Sequence, residues 1–271
     1  MTPNEVFYDG SLEGLFTVLE DAYLGGKAPE RILRAAPRPP DNSAGQDAGA
    51  LQGELFDCAG TFAAAASDSM PAPAGNASAP AFAAYFVPSG GLAPALFELS
   101  ANAFDACVLA WMSEFPIEAA IVRYACRVLA AAVSGAGAEP GAGAFFAEGK
   151  APSRTISEAA RRNAEKAAAD RGDNDARIVL EAAYKVSHEI DRLRGLLRFT
   201  PDERGVYTAR CSPDHFVLPA LGEHFFPRFG DTPWLVIDEK RNLGLFCFPG
   251  EGPRLQNISP GPFRPDADEW E

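Results

Sequence analysis

Between Asp173 and Leu197 the apolar residues Val179, Ala183, Val186, Ile190, Leu193 and Leu197 step by four and three without a break. That spacing puts them on one face of a helix of roughly six turns or more, which must bury that face against other elements. Glu181, Lys185, His188 and Arg192 form a second stripe of the same spacing, so His188 is expected on a polar face, one turn from Arg192. The runs after this helix are short. Leu197–Thr200 and Val206–Cys211 flank a turn at Pro201–Gly205 and read as an antiparallel pair. Pro213–Phe229 reads as a loop and short helix, and Trp234–Asp238 with Leu243–Phe248 as a hairpin closed by Glu239-Lys240-Arg241-Asn242. The fold class that follows is α+β, the second half being a small antiparallel sheet packed on the long helix.

The first half is helical and interrupted. Residues 5–9 (EVFYD) form a strand pattern, expected to join the same sheet and so bind the halves into one unit over 1–271. Gly10-Ser11 opens a helix carrying Leu12, Leu15, Phe16, Leu19 and Tyr23, and Gly25-Gly26 ends it. From about 35 to 95, and again over 134–152, Ala, Gly, Pro and Ser dominate, with an island only around Leu55-Phe56. Such stretches bury too little apolar surface to offset the entropy of ordering and are expected as disordered insertions. Between them, within 1–150, Pro116 suits a helix start, followed by Ile117, Ile121, Tyr124 and Val128. The part from 153 to 248 holds the long helix and the sheet. It opens with Thr155-Ile156-Ser157-Glu158, in capping-box form, ahead of a charged helix stopped by Gly172. The Pro- and Gly-rich tail, 249–271, is expected to be irregular.

Charge is uneven. The chain carries −13 overall, yet residues 1–150 hold 17 acids against 7 bases while residues 181–245 hold 10 against 9. Bulk attraction to nucleic acid is therefore excluded, and a local arginine surface is not. The five cysteines form no CxxC pair, so zinc-ribbon and iron–sulfur chemistry is not encoded and no cofactor is indicated. Unpaired thiols, no signal-peptide pattern and no apolar run of ~18 residues lead to the expectation of a cytoplasmic protein without a membrane partner. No Walker, GxGxxG or GxSxG pattern is present.

All three histidines, His188, His215 and His224, fall within one 37-residue window. Acid–base catalysis through His224 or His215, aided by Asp214, Glu189 or Asp191, is one chemistry that such a segment supports. Zinc binding is not expected, because the histidines and Cys211 lack tight paired spacing. Arg192, Arg198, Arg228 and Arg241, with Trp234 as a stacking face, form a candidate nucleic-acid surface. The same arginines equally suit pairing with Glu189, Asp191, Asp214 and Asp238, the aromatics then filling the core.

The stretches VFYDGSLEGLFTVLEDAY, HEIDRLRGLLRF, YTARCSPDHFVLPALGEHFFPRF and WLVIDEKRN resemble the DUF4130 family of probable DNA-metabolism proteins. The resemblance implies association with a radical S-adenosylmethionine protein. In some members it implies fusion to a uracil-DNA-glycosylase-like domain, which makes such a protein a second expected partner. This chain departs from the family's Glu-x-His-Arg pattern, having Glu189-Ile190-Asp191-Arg192. Three roles remain open at this point: an accessory protein that binds DNA or other nucleic acid, an enzyme acting on a nucleic-acid base or phosphate, and a non-catalytic scaffold.

Overall fold

A computed structural model describes residues 5–35, 92–134, 156–250 and 252–258. The insertions expected at about 35–95 and 134–152, including the Leu55-Phe56 island, lie almost wholly outside the described residues. The chain divides into two compact units, with a boundary between His188 and Glu189.

The first unit begins with β1 (Glu5–Tyr8), α1 (Leu12–Leu24) and β2 (Arg31–Arg34). β1 pairs in parallel with β2, Val6 opposite Ile32, in a sheet of these two strands. The expectation that β1 joins the larger sheet is thus corrected: a one-helix crossover returns the chain alongside β1, as parallel pairing requires. The turn into α1 is tightly specified. Ser11 caps the helix by accepting the Gly14 amide at 2.9 Å, and Asp9 Oδ1 accepts the Ser11 amide and hydroxyl at 2.9 and 2.7 Å. A Cβ on Gly14 would overlap that carboxylate oxygen, so any side chain there would push Asp9 off its bonds to Ser11. At the other end, Gly26 and Lys27 amides bond back to Tyr23 and Ala22 carbonyls, with Gly26 at φ +66°. This is the Schellman arrangement that the Gly-Gly pair suggests.

The rest of the first unit is helical: α2 (Ala93–Leu99), α3 (Ala101–Met112), α4 (Glu118–Ser134), α5 (Glu158–Ala168) and the start of α6 (Asn174–Leu196). α4 packs against α1, α2, α3 and α5, and its Tyr124, Val128 and Leu129 are fully buried. The Tyr124 hydroxyl donates to the Ala168 carbonyl at the end of α5, while Arg123 grips Asp175 of α6 through two bonds of 2.8 and 2.6 Å. The helix starts differ slightly from expectation. Ser157 caps α5, Thr155 lying outside the described residues, α4 begins two residues after Pro116, and α5 ends before Gly172.

The second unit takes the last turns of α6, then β3 (Thr200–Pro201), β4 (Tyr207–Cys211), α7 (Leu218–Phe229), β5 (Trp234–Asp238), β6 (Leu243–Cys247) and β7 (Arg254–Asn257). The five strands are ordered β3-β4-β5-β6-β7. The sheet is mixed, since β4 and β5 run parallel while the other pairs are antiparallel. Residues 212–233, with α7 inside them, are long enough for that crossover. α7 is the helix seated on β5 and β6, with Phe225 and Phe229 against the Trp234 ring. β7 falls in the tail read as irregular: its residues Arg-Leu-Gln-Asn carry no periodic apolar signal, and pairing with β6 alone defines it.

On the other sheet face Leu235, Ile237 and Phe246 form a cluster with Phe248 and Ile258. The Phe246 ring and the Ile258 side chain lie over Gly244, 2.6 and 2.7 Å from where a Cβ would be. Gly244→Ala is therefore expected to displace both side chains and destabilise the second unit by about 1–3 kcal/mol. An unchanged thermal unfolding midpoint in that variant would count against this packing.

Candidate functional site

The polar centre of the second unit is the loop 212–217 between β4 and α7. Glu189 on α6, only 6% exposed, reaches it with both carboxylate oxygens. Oε1 accepts the Asp214 amide at 3.0 Å and Oε2 the His215 amide at 2.9 Å, and Arg192 donates to Oε1 at 3.1 Å. From the opposite side comes the β5–β6 turn. Asp238 is fully buried, and its Oδ1 accepts the Lys240 and Arg241 amides at 2.9 and 3.1 Å. Its Oδ2 holds Arg241 Nη1 at 2.8 Å. Arg241 then donates to the Pro213 and Asp214 carbonyls at 3.2 and 3.1 Å, and Lys240 Nζ adds a second bond to Asp214 O at 3.1 Å. A carboxylate thus holds the loop's amides and a guanidinium its carbonyls. Charge-assisted bonds of this type are roughly twice as strong as neutral ones.

This geometry reassigns several expected residues. Glu189 fastens a loop with the oxygens that an acid–base role would need, and Asp191 is exposed and pairs with Arg194 at 3.5 Å. Arg241 is locked in the clamp, its side chain 12% exposed. Trp234 is 1% exposed and belongs to the core. Phe199 packs against Phe225 and Phe229, and Tyr207 against Phe229, with ring centroids 4.7–5.6 Å apart in tilted or edge-on contacts. The pairing alternative holds for Arg192 with Glu189 and for Arg241 with Asp238.

The histidines have separate settings. His188 is exposed in the first unit, its ring edge-on to Tyr184. His215 is buried beside the clamp. His224 lies on α7 near Arg194 and Arg228. Burial first, then those two guanidinium charges, push its imidazole below the ordinary histidine range. Its neighbour Glu223 is pushed the other way by burial, with Arg194 opposing. Glu223 and Arg194 were not legible as site residues. Their only signal is the Glu-His adjacency in a helix that also carries a burying face. Among the described residues no group of three His, Cys, Asp or Glu side chains is placed to hold a metal ion.

Exposed arginines remain. Arg198 donates only to the Gly195 and Leu197 carbonyls at the end of α6, and Arg228 pairs with no carboxylate among the described residues. Both keep their charge facing water.

Two outcomes test this arrangement. Asp238→Ala leaves Arg241 without its carboxylate and is expected to cost about 3–5 kcal/mol in denaturant unfolding. Arg210→Ala, which removes a half-exposed pair with Glu239, is expected to cost no more than about 1 kcal/mol. Equal costs would contradict the clamp. Glu223→Gln is expected to raise stability at pH 7. A carboxyl whose folded pKa is raised costs stability once the pH climbs above its unfolded value of about 4.3, so the gain should vanish below that pH. A gain that persists at pH 3.5 would refute the assignment. The Cys211 thiol, pushed up to about 12 by burial and then by Asp238, Glu239 and Glu189, should resist alkylation at pH 8 as measured by peptide mapping.

Among the described residues no helix is long and apolar enough to cross a membrane. No curated protein and no solved structure matches the chain. A family does. Residues 150–269, which contain Glu189, the 212–217 loop, His224, Asp238 and Arg241, match the DUF4130 model, described as a domain of unknown function.

Proposed function

We propose that the second unit is a nucleic-acid-contacting module of DNA metabolism, acting in the cytoplasm with a radical S-adenosylmethionine protein as partner. One observation carries the contact. In a chain of net charge −13, Arg194 and Arg228 both stand near His224, where burial first and then these two charges push its imidazole pKa down. Arg198 and Arg228 are exposed without a carboxylate among the described residues, while Arg192 is half exposed beside Glu189. Such guanidinium groups suit phosphate oxygens, and a local field is enough where bulk charge opposes binding. The partner follows from the DUF4130 resemblance, as does the possible involvement of a uracil-DNA-glycosylase-like protein.

Fluorescence anisotropy with single-stranded DNA across a salt series tests the contact. The intact protein is expected to bind at low salt. The Arg198→Ala/Arg228→Ala double variant is expected to bind at least tenfold more weakly, with a salt slope smaller by roughly one to two. No binding by the intact chain at 20 mM salt, or an unaffected double variant, would end this reading. Co-purification with a radical S-adenosylmethionine protein tests the partnership separately.

A further inference from the structure

Ala220, Glu223 and His224 occupy positions i, i+3 and i+4 of α7, so they share one face of the helix. Arg194, near the end of α6, donates from Nη2 to the Ala220 carbonyl at 3.4 Å. That bond brings its guanidinium to the same face, within electrostatic reach of both neighbouring side chains. Three atoms there are buried and have no hydrogen-bond partner among the described residues: Arg194 Nε, Glu223 Oε2 and His224 Nε2. More than nine-tenths of buried polar groups in folded proteins are satisfied by protein or ordered water, so three unmatched atoms around one helix turn are candidates for a common guest.

Their chemistry restricts what that guest is. Arg194 Nε only donates. His224 Nε2 donates when the ring is charged, and Glu223 Oε2 donates when the carboxyl is protonated, the form that burial favours. Arg228 adds a second positive charge near His224. Two guanidinium charges beside these groups favour a charged, multi-oxygen anion over a neutral base. We propose that Arg194, Glu223 and His224 together bind one phosphate group. Asp191, exposed and 3.5 Å from Arg194, is the competing carboxylate that the guest must outbid for the guanidinium. The site deepens the nucleic-acid reading and rests on it only for the source of the phosphate.

Histidine-ring NMR tests the site directly, since the chain has only three histidines and His224→Gln assigns one signal. The pH titration is run with 10 mM inorganic phosphate and again with chloride at equal ionic strength. The His224 midpoint is expected to rise by roughly half a pH unit or more, because a bound anion favours imidazolium, while His188 and His215 stay put. Arg194→Ala should abolish the rise. Arg194→Lys, which keeps the charge and spares the fold, should weaken it, and Glu223→Gln should retain it. No rise in the intact protein, a rise unchanged in Arg194→Ala, or a rise lost in Glu223→Gln would each overturn the proposal. Short oligonucleotides then identify the source. A response only to the 5′-phosphorylated form supports a terminal monoester, and an equal response to the 5′-hydroxyl form supports a backbone diester. A phosphate response without DNA binding keeps this site and ends the nucleic-acid reading. DNA binding that leaves His224 unmoved does the reverse.

Discussion

The second unit depends on a buried carboxylate, Asp238, held at the end of β5 with no exposed surface. Such a charge is stable there only because two backbone amides and the Arg241 guanidinium surround it. Arg241 in turn satisfies the carbonyls of the crossing loop, whose amides Glu189 satisfies from α6. Three elements distant in sequence thereby share one network, and removing any one charge strands its partners in a low-dielectric setting. The parallel β4–β5 pairing needs this fastening. A crossover loop that packs inward must find partners for its own backbone groups.

The network also separates residues that shape the protein from residues free to bind. Glu189, Asp238 and Arg241 are consumed by the loop, and Trp234 with its aromatic neighbours by the core beneath α7. What is left over is the end of α6 with Arg194 and the part of α7 that carries Glu223, His224 and Arg228. There the polar atoms are under-satisfied, and the ionisation of Glu223 and His224 is displaced toward the neutral forms. Displaced ionisation beside unmatched hydrogen-bonding groups is a recurrent mark of binding surfaces.

Much of the architecture was legible because periodicity reports local burial. The α6 stripe, the Trp234–Asp238/Leu243–Cys247 hairpin and the Gly-Gly end of α1 all follow from neighbours within one element. β2 and β7 were not legible, being four residues each with polar ends and stabilised only by the strand alongside. The parallel β4–β5 register was hidden for a related reason, since direction is a property of the crossover and not of either strand's residues. Arg241 illustrates the limit for sites. Its sequence context, a hairpin turn, suits exposure and burial equally, and only the position of Pro213 and Asp214 beside it settled the matter.

By itself, then, the sequence determined the α+β class, the long amphipathic helix, the short strands after it and the segment where polar chemistry concentrates. Hydrophobic period, turn residues and charge distribution are all written along the chain. Only the tertiary structure decided which strands pair, that β1 belongs with β2, and which charged side chains are locked rather than offered to water. Those outcomes are fixed by desolvation. Whether a carboxylate or guanidinium is structural or available depends on what surrounds it in space, and residues as far apart as Glu189, Asp214 and Arg241 meet only after folding.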